Sequence, residues 1–134
     1  MIRILLADDY TIIRKGVRQI LTQEYPSAQI DELEEGDEWR EKIGNTDWDI
    51  IISDLPMPDR GGFDTLRQIR AEYPNMHILI LSLYPKEYYA SKAMKAGASG
   101  YVGKDAGPEE LIRAVRQVLA GGKYGSGPWP ELHN

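Results

Sequence analysis

Cysteine is absent from the 134-residue chain, His occurs twice and Phe once. No disulfide framework, thiolate metal site or cysteine nucleophile is therefore available, which fits a reducing compartment. The two histidines, His77 and His133, have no HExxH spacing, and such a chain is a poor candidate for a zinc enzyme. Positive charge is also short: 16 Lys and Arg against 21 Asp and Glu leave a formal charge of −5. That balance offers no electrostatic footprint for gripping phosphate backbones or anionic lipid, so direct nucleic-acid binding is disfavoured. Long apolar runs are missing too. The first, Ile2 to Ala7, is interrupted by Arg3 and closed by Asp8-Asp9, too short for a signal-peptide core or a membrane span. A soluble, cytoplasmic protein with no membrane partner is expected.

What is present is one domain's worth of alternating periods. Short runs rich in Ile and Val at Ile2 to Ala7, Ile50 to Ser53 and Ile78 to Ser82, with a briefer one at Tyr101-Val102, suit parallel strands buried on both faces. Between them lie helical spacings: Ile13, Val17, Ile20 and Leu21; Phe63, Leu66, Ile69 and Tyr73; Leu111, Val115, Val118 and Leu119. Pro108-Glu109-Glu110 opens the last of these helices and Gly121-Gly122 stops it, while Gly97 ends the helix containing Ala90, Ala93 and Met94. The acidic stretch Gln29 to Gly44 predicts an edge strand around Ile30 and Leu33, then a short helix carrying Trp39 and Ile43. Its charge reads as a solvated face.

Strand and helix thus alternate five times, too few to close an eight-stranded barrel. The expected fold is α/β, an open doubly wound five-stranded parallel sheet of flavodoxin-like order 2-1-3-4-5 in a three-layer (βα)5 sandwich. In such a sheet, ligands sit beyond the carboxyl ends of the strands where the order reverses.

Those ends carry the chemistry. The first strand ends in Asp8-Asp9, the third in Asp54, the fourth in Ser82, and Lys104 follows the fifth. Unit charges about 4 Å apart at an effective dielectric near 20 interact by roughly 4 kcal/mol, so clustered carboxylates need a cation or a proton. A hard divalent ion, Mg²⁺, suits a few carboxylates on separate loops better than Ca²⁺ does. With the acids offset, one carboxylate can act as a nucleophile toward phosphorus, and a hydroxyl and an ammonium can stabilise the transferred group. Taken singly, Asp54 is an ordinary turn residue, Asp9 a helix cap, Ser82 a strand-end hydroxyl and Lys104 a solvated lysine. Their common position at one sheet edge argues for the site.

Asp8-Asp9, Asp54 followed by Met57-Pro58, the hydroxyl of Ser82, and Ala96 to Tyr101 before Lys104 resemble the receiver domain of bacterial two-component response regulators. Leu81 to Pro85 and Lys104-Asp105 are most similar to the NarL/FixJ-type branch. The resemblance covers residues 1–121. It implies a phosphorylation-activated signalling switch in a phosphorelay, a phosphoacceptor and not an enzyme in its own right beyond assisting its own phosphorylation and dephosphorylation. Asp54 would accept phosphate from a sensor histidine kinase. Mg²⁺ would be held by Asp9, Asp54 and the Pro56 carbonyl, with Asp8 acting largely through water. Lys104 would pair with the phosphoryl group, Ser82 would swing toward it, and Tyr101 would move inward as the relay to a partner-binding face. The kinase would dock near Ile12, Ile13 and Arg14 and on the loop after Lys104, and phosphorylation would favour a homodimer. Pro56 and Tyr84 occupy positions that in the family tune phosphoryl lifetime. With Asp59 and Gly103 they depart from its usual choices, as a natural outlier or an engineered variant would.

Residues 122–134 read as a linker-like tail. Only 13 residues follow Gly121, too few for a helix-turn-helix, so any DNA binding would belong to an output domain of a longer parent. Three rivals remain: a receiver-like interaction module that is never phosphorylated, a flavodoxin-like cofactor carrier, and an aspartyl phosphatase. The carrier would need a phosphate-binding loop where Asp8-Asp9 repel phosphate. The phosphatase would need its second acid two residues after the nucleophile.

Overall fold

The structure, a computed structural model, describes residues 1–8, 10–33, 39–44, 46–54 and 62–125. Among these residues five strands alternate with five helices: β1 (Arg3–Ala7), α1 (Thr11–Glu24), β2 (Gln29–Leu33), α2 (Trp39–Gly44), β3 (Ile50–Asp54), α3 (Gly62–Glu72), β4 (Ile78–Ser82), α4 (Lys86–Ala96), β5 (Gly100–Gly103) and α5 (Pro108–Leu119). All strand pairs are parallel, in the order β2-β1-β3-β4-β5. The expected sheet and its reversal between β1 and β3 are both present.

The period of two along each strand divides the core into two layers. Leu5, Ile51, Ile78, Ile80 and Tyr101 face α2, α3 and α4. Ile4, Leu6, Ile50, Ile52, Leu79, Leu81 and Val102 face α1 and α5, meeting Val17, Leu21, Leu111, Val115 and Val118. The three central strands are covered on both faces, which is why their sequences read as unbroken apolar runs. β2 has only one neighbour, and apart from Leu33 its residues are half-buried, which accommodates Asp31 and Glu32.

Helix ends follow the punctuation. Pro108 opens α5 with Glu109 and Glu110 in its first turn, favourable beside the positive end of the macrodipole. Gly121, at φ 91°, turns the chain away after the helix. At the end of α4, Gly97 has φ 123°, and its carbonyl accepts from Arg70 Nε at 2.9 Å and Nη2 at 2.7 Å.

Register then determines where the polar strand ends lie. Ala7 is level with Ser53, Asp54 with Leu81, and Ser82 with Gly103. The residues that follow β1 and β5, Asp8 and Lys104, consequently emerge at the same edge as Asp54 and Ser82.

The chain after α5 does not leave the sheet at once. Tyr124 forms a parallel bridge with Gly100, its amide donating to the Ser99 carbonyl and its carbonyl accepting from the Tyr101 amide, each at 3.0 Å. Residues 126–134, with Trp129 and the two tail prolines, lie outside the described residues.

Candidate functional site

Lys104 is the centre of the site. Its side chain is 1% exposed, and Nζ lies 2.8 Å from Asp54 Oδ1 and 3.0 Å from Asp8 Oδ2. Because both oxygens share one ammonium, the two carboxylates stand no further apart than those two contacts allow. Burial by itself pulls the ammonium pKa down. The hydrogen bonds and charges of Asp54 and then Asp8 outweigh that and hold it above the ordinary lysine range. The Tyr10 ring lies 4.6 Å from Nζ, a cation–π contact on a further side of the charge.

Asp8 performs two tasks. Its Oδ1 accepts the Tyr10 amide at 2.8 Å, an Asx-type turn that leads into α1. Asp8 stands two residues ahead of the Tyr10 N-cap, which has no side-chain cap of its own, and Asp9, the expected cap, lies outside the described residues. The Asp8 Oδ2 is buried, and its partner among the described residues is the Lys104 ammonium at 3.0 Å. Two carboxylates against one ammonium leave a net negative charge. An oxygen-only donor set carrying that excess of negative charge fits a hard divalent cation such as Mg²⁺. Among the described residues no three acidic or histidine side chains gather around a common point. Asp9 and Pro56, the other expected ligands, lie outside the described residues, as do Met57, Pro58 and Asp59.

Ser82 and Tyr101 flank this pocket on the β4–β5 side. Ser82 is buried, its Oγ accepts the Tyr84 amide at 3.0 Å, and its carbonyl accepts the Lys104 amide at 2.8 Å. Tyr101 is 2% exposed, so its ring stands inward, and its hydroxyl donates to the Tyr84 carbonyl at 2.8 Å. Burial pushes the Tyr101 phenol up to about 12 against the opposing hydrogen bond with Ser82. The segment through Leu83 and Tyr84 is therefore tied to both residues at once.

One expected surface residue lies elsewhere. Arg14, placed by sequence in a docking surface, is 4% exposed and hydrogen-bonded inside the fold. Its spacing with Val17 and Leu21 marks the inner face of α1, and that pattern could have revealed it. Ile12, on the outer face, is 80% exposed. Sequence reasoning also missed Tyr10 and the Tyr84 carbonyl, since neither a ring over an ammonium nor a main-chain acceptor leaves a spacing signature.

An open parallel sheet bearing two acids and a lysine at its switch point is the architecture of a phosphorelay signalling domain. The chain belongs to the response regulator receiver domain family, whose model matches residues 4–116. It is 34% identical to the transcriptional regulatory protein DegU of Brevibacillus brevis, over 92% of this chain and 52% of that protein. Its fold matches the crystal structure of a LuxR-family two-component response regulator from Aurantimonas sp. SI85-9A1 with a TM-score of 0.80 at 36% identity, covering 91% of this chain and 87% of that one. It also matches the response regulator TrrA from Thermotoga maritima, solved in complex with Mg(2+)-BeF, with a TM-score of 0.75 at 30% identity, covering 88% and 99%. Relatives of this kind are NarL/FixJ-type regulators. The chain spans about half the length of DegU. No helix among the described residues is long and apolar enough to cross a membrane.

Proposed function

We propose that this receiver accepts a phosphoryl group on Asp54 from the phosphohistidine of a sensor kinase and relays the change through Ser82 and Tyr101. The observation that carries the reading is the single ammonium of Lys104 shared between Asp54 and Asp8 at the carboxyl edge of the sheet. A carboxylate oxygen of Asp54 attacks phosphorus, the P–N bond breaks, and its electron pair leaves with the imidazole, which takes up a proton. The product is an acyl phosphate. Lys104, already beside Asp54, follows the charge onto the phosphoryl oxygens, and its burial strengthens that attraction. Asp8, Asp9, Asp54 and the Pro56 carbonyl would hold Mg²⁺, which when bound offsets the acids and polarises the phosphoryl group. TrrA, crystallised with Mg(2+)-BeF, supports this assignment by its likeness.

Ser82 reaches the new phosphoryl group only by giving up the Tyr84 amide, and the same loop supplies the carbonyl that holds Tyr101. The two hydrogen bonds make the β4–α4 segment the element that responds. The kinase docks beside the exposed Ile12, where a cavity of about 150 Å³ between α1 and the β5–α5 loop is lined by Ile13, Gly16, Ile20, Lys104 and Ala106. Arg14 drops out of that surface. The receiver is assigned to residues 1–121 and residues 122–134 to a linker whose first part, at Tyr124, is still bridged to the sheet. Phosphorylation-dependent pairing, a cytoplasmic location and DNA binding through an output domain of a longer parent complete the reading.

Incubation with acetyl phosphate or phosphoramidate and Mg²⁺, followed by intact mass, tests it. The expected result is the gain of one phosphoryl group that Asp54→Ala abolishes. No gain together with no beryllofluoride binding rejects the reading, and labelling that survives Asp54→Ala moves the acceptor elsewhere.

A further inference from the structure

Arg14 is a buried charge that no step above uses. Guanidinium groups are rarely buried without a structural reason, because removing the charge from water is costly until its partners compensate. Its partners among the described residues include groups from three parts of the fold. It donates to the Asp8 main-chain carbonyl, to Thr11 Oγ1 at 3.4 Å and to Glu32 Oε1 on β2 at 2.8 Å. Glu32 is itself anchored, since its Oε2 meets Arg18 Nε at 2.8 Å, and Arg18 also donates to the Ile30 carbonyl at 2.7 Å. A continuous path therefore runs from the edge strand through Glu32 and Arg14 to the backbone of Asp8. From there the Asx turn on Tyr10 fixes Oδ1 and leaves Oδ2 facing Lys104.

Resting on the phosphoacceptor reading, we propose that Arg14 is a positioning residue of the acid pocket. It holds the β1–α1 turn so that the Asp8 carboxylate faces Asp54 and Lys104, and it thereby sets the affinity of the pocket for a divalent cation without touching the cation or the phosphoryl group. A planar fork is suited to the task because it reaches a carbonyl and a carboxylate in fixed relative directions. A lysine ammonium, a point charge on a flexible stem, does not impose those directions.

Arg18 provides the control. It grips the same Glu32 from the same helix yet bonds the Ile30 carbonyl instead of Asp8. A merely structural clamp of α1 on β2 would be weakened by either substitution; a positioning role toward the acids belongs to Arg14 alone. The test titrates the whole chain with Mg²⁺ alone, by calorimetry, for the parent, Arg14→Lys, Arg14→Met and Arg18→Met. In parallel it measures exchange of the Tyr10 amide without metal, and the dependence of acetyl-phosphate labelling on Mg²⁺.

Arg14→Lys is expected to weaken Mg²⁺ binding about tenfold, within the range for residues that orient metal ligands. It should speed Tyr10 exchange and raise the Mg²⁺ needed for half-maximal labelling, with the rate at saturating Mg²⁺ little changed. Arg18→Met should leave Mg²⁺ affinity within about twofold of the parent. Equal effects of Arg14→Lys and Arg18→Met, or none from either, overturn the proposal. Should Arg14→Met fail to fold, Arg14→Lys and Glu32→Gln decide the matter. Absence of both labelling and beryllofluoride binding in the parent itself would reject the phosphoacceptor reading instead, while the metal affinities and the Tyr10 exchange would still judge Arg14.

Discussion

Tyr101 donates its hydroxyl hydrogen to the Tyr84 carbonyl at 2.8 Å, so a side chain of β5 is fastened to the loop after β4. That loop is also fastened to Ser82 through the Tyr84 amide. The arrangement gives the inward ring a measurable contribution to stability, and the contribution has a pH signature. Tyr101 has a phenol pKa raised from near 10 in the unfolded chain to about 12 in the fold. For a raised pKa the stabilisation is fully present below the unfolded value and is lost as pH rises through the folded one. The parent should therefore lose about 2 to 3 kcal/mol relative to Tyr101→Phe between pH 10 and 12. Urea unfolding of both proteins across that window checks it. Parallel pH profiles would show that the phenol is not buried as described.

Lys104 is the cation that two buried acids share, so its removal should be costly at neutral pH. Lys104→Met leaves Asp8 and Asp54 facing each other without the ammonium that they share. A loss of about 3 kcal/mol is expected, in line with breaking a buried ion pair from one side. Mg²⁺ should restore part of it, giving a larger rise in Tm per millimolar metal than in the parent. Differential scanning fluorimetry with and without Mg²⁺ reads both effects. A variant as stable as the parent, with the same metal response, would mean that the acids do not depend on this ammonium.

Gly97 and Arg70 test the close approach of α3 and α4. A Cβ at Gly97 would sit 2.7 Å from Arg70 Cβ, and the backbone there has φ 123°. Both effects act in the same direction, because the conformation is strained for an L residue and the space is taken by the side chain that ties down the Gly97 carbonyl. Gly97→Ala should cost about 2 kcal/mol or more, seen as a lower urea midpoint at unchanged slope. A cost below about 0.5 kcal/mol would place the C-terminal turn of α4 differently.

The alternation of strands and helices and the strand ends that carry the acids were legible because each rests on a local pattern, whereas the order of the sheet was taken from the common flavodoxin-like arrangement. Ile50 to Asp54 shows a buried run closed by a carboxylate, and parallel pairing brings such closures level wherever the runs have similar length. Trp39 and Ile43 likewise marked α2 through their spacing of four. Arg14 was misjudged because its place in the docking surface came from the resemblance and its periodicity was not weighed against it. Its position relative to Val17 and Leu21 points inward, and the carboxylate of Glu32 on a distant strand, with the Asp8 carbonyl, helps to make that burial tolerable. Such a partner cannot be identified from one helix. Tyr124 was obscured by the glycines around it, which describe backbone freedom and say nothing about pairing across the sheet.

Tyr124 leads to the last prediction. Its bridge to Gly100 covers the open side of β5, a sheet edge that would otherwise present unpaired amides and carbonyls. The Tyr101 amide depends on it, since that amide donates to the Tyr124 carbonyl, and the Tyr124 hydroxyl meets Glu110 Oε2 on α5 at 3.1 Å. Tyr124→Pro retains the carbonyl but removes the amide that reaches Ser99, which should loosen the segment. Each backbone bond contributes about 1 kcal/mol, so exchange of the Tyr101 amide should rise about fivefold to tenfold, with a similarly small loss of global stability. Tyr124→Phe, which gives up only the Glu110 contact, should change that exchange much less. Hydrogen exchange followed by NMR at Tyr101 separates the two variants. Equal protection in the parent and Tyr124→Pro would mean that the bridge does not guard the edge, and that the segment after α5 can leave the sheet without exposing the backbone of Tyr101.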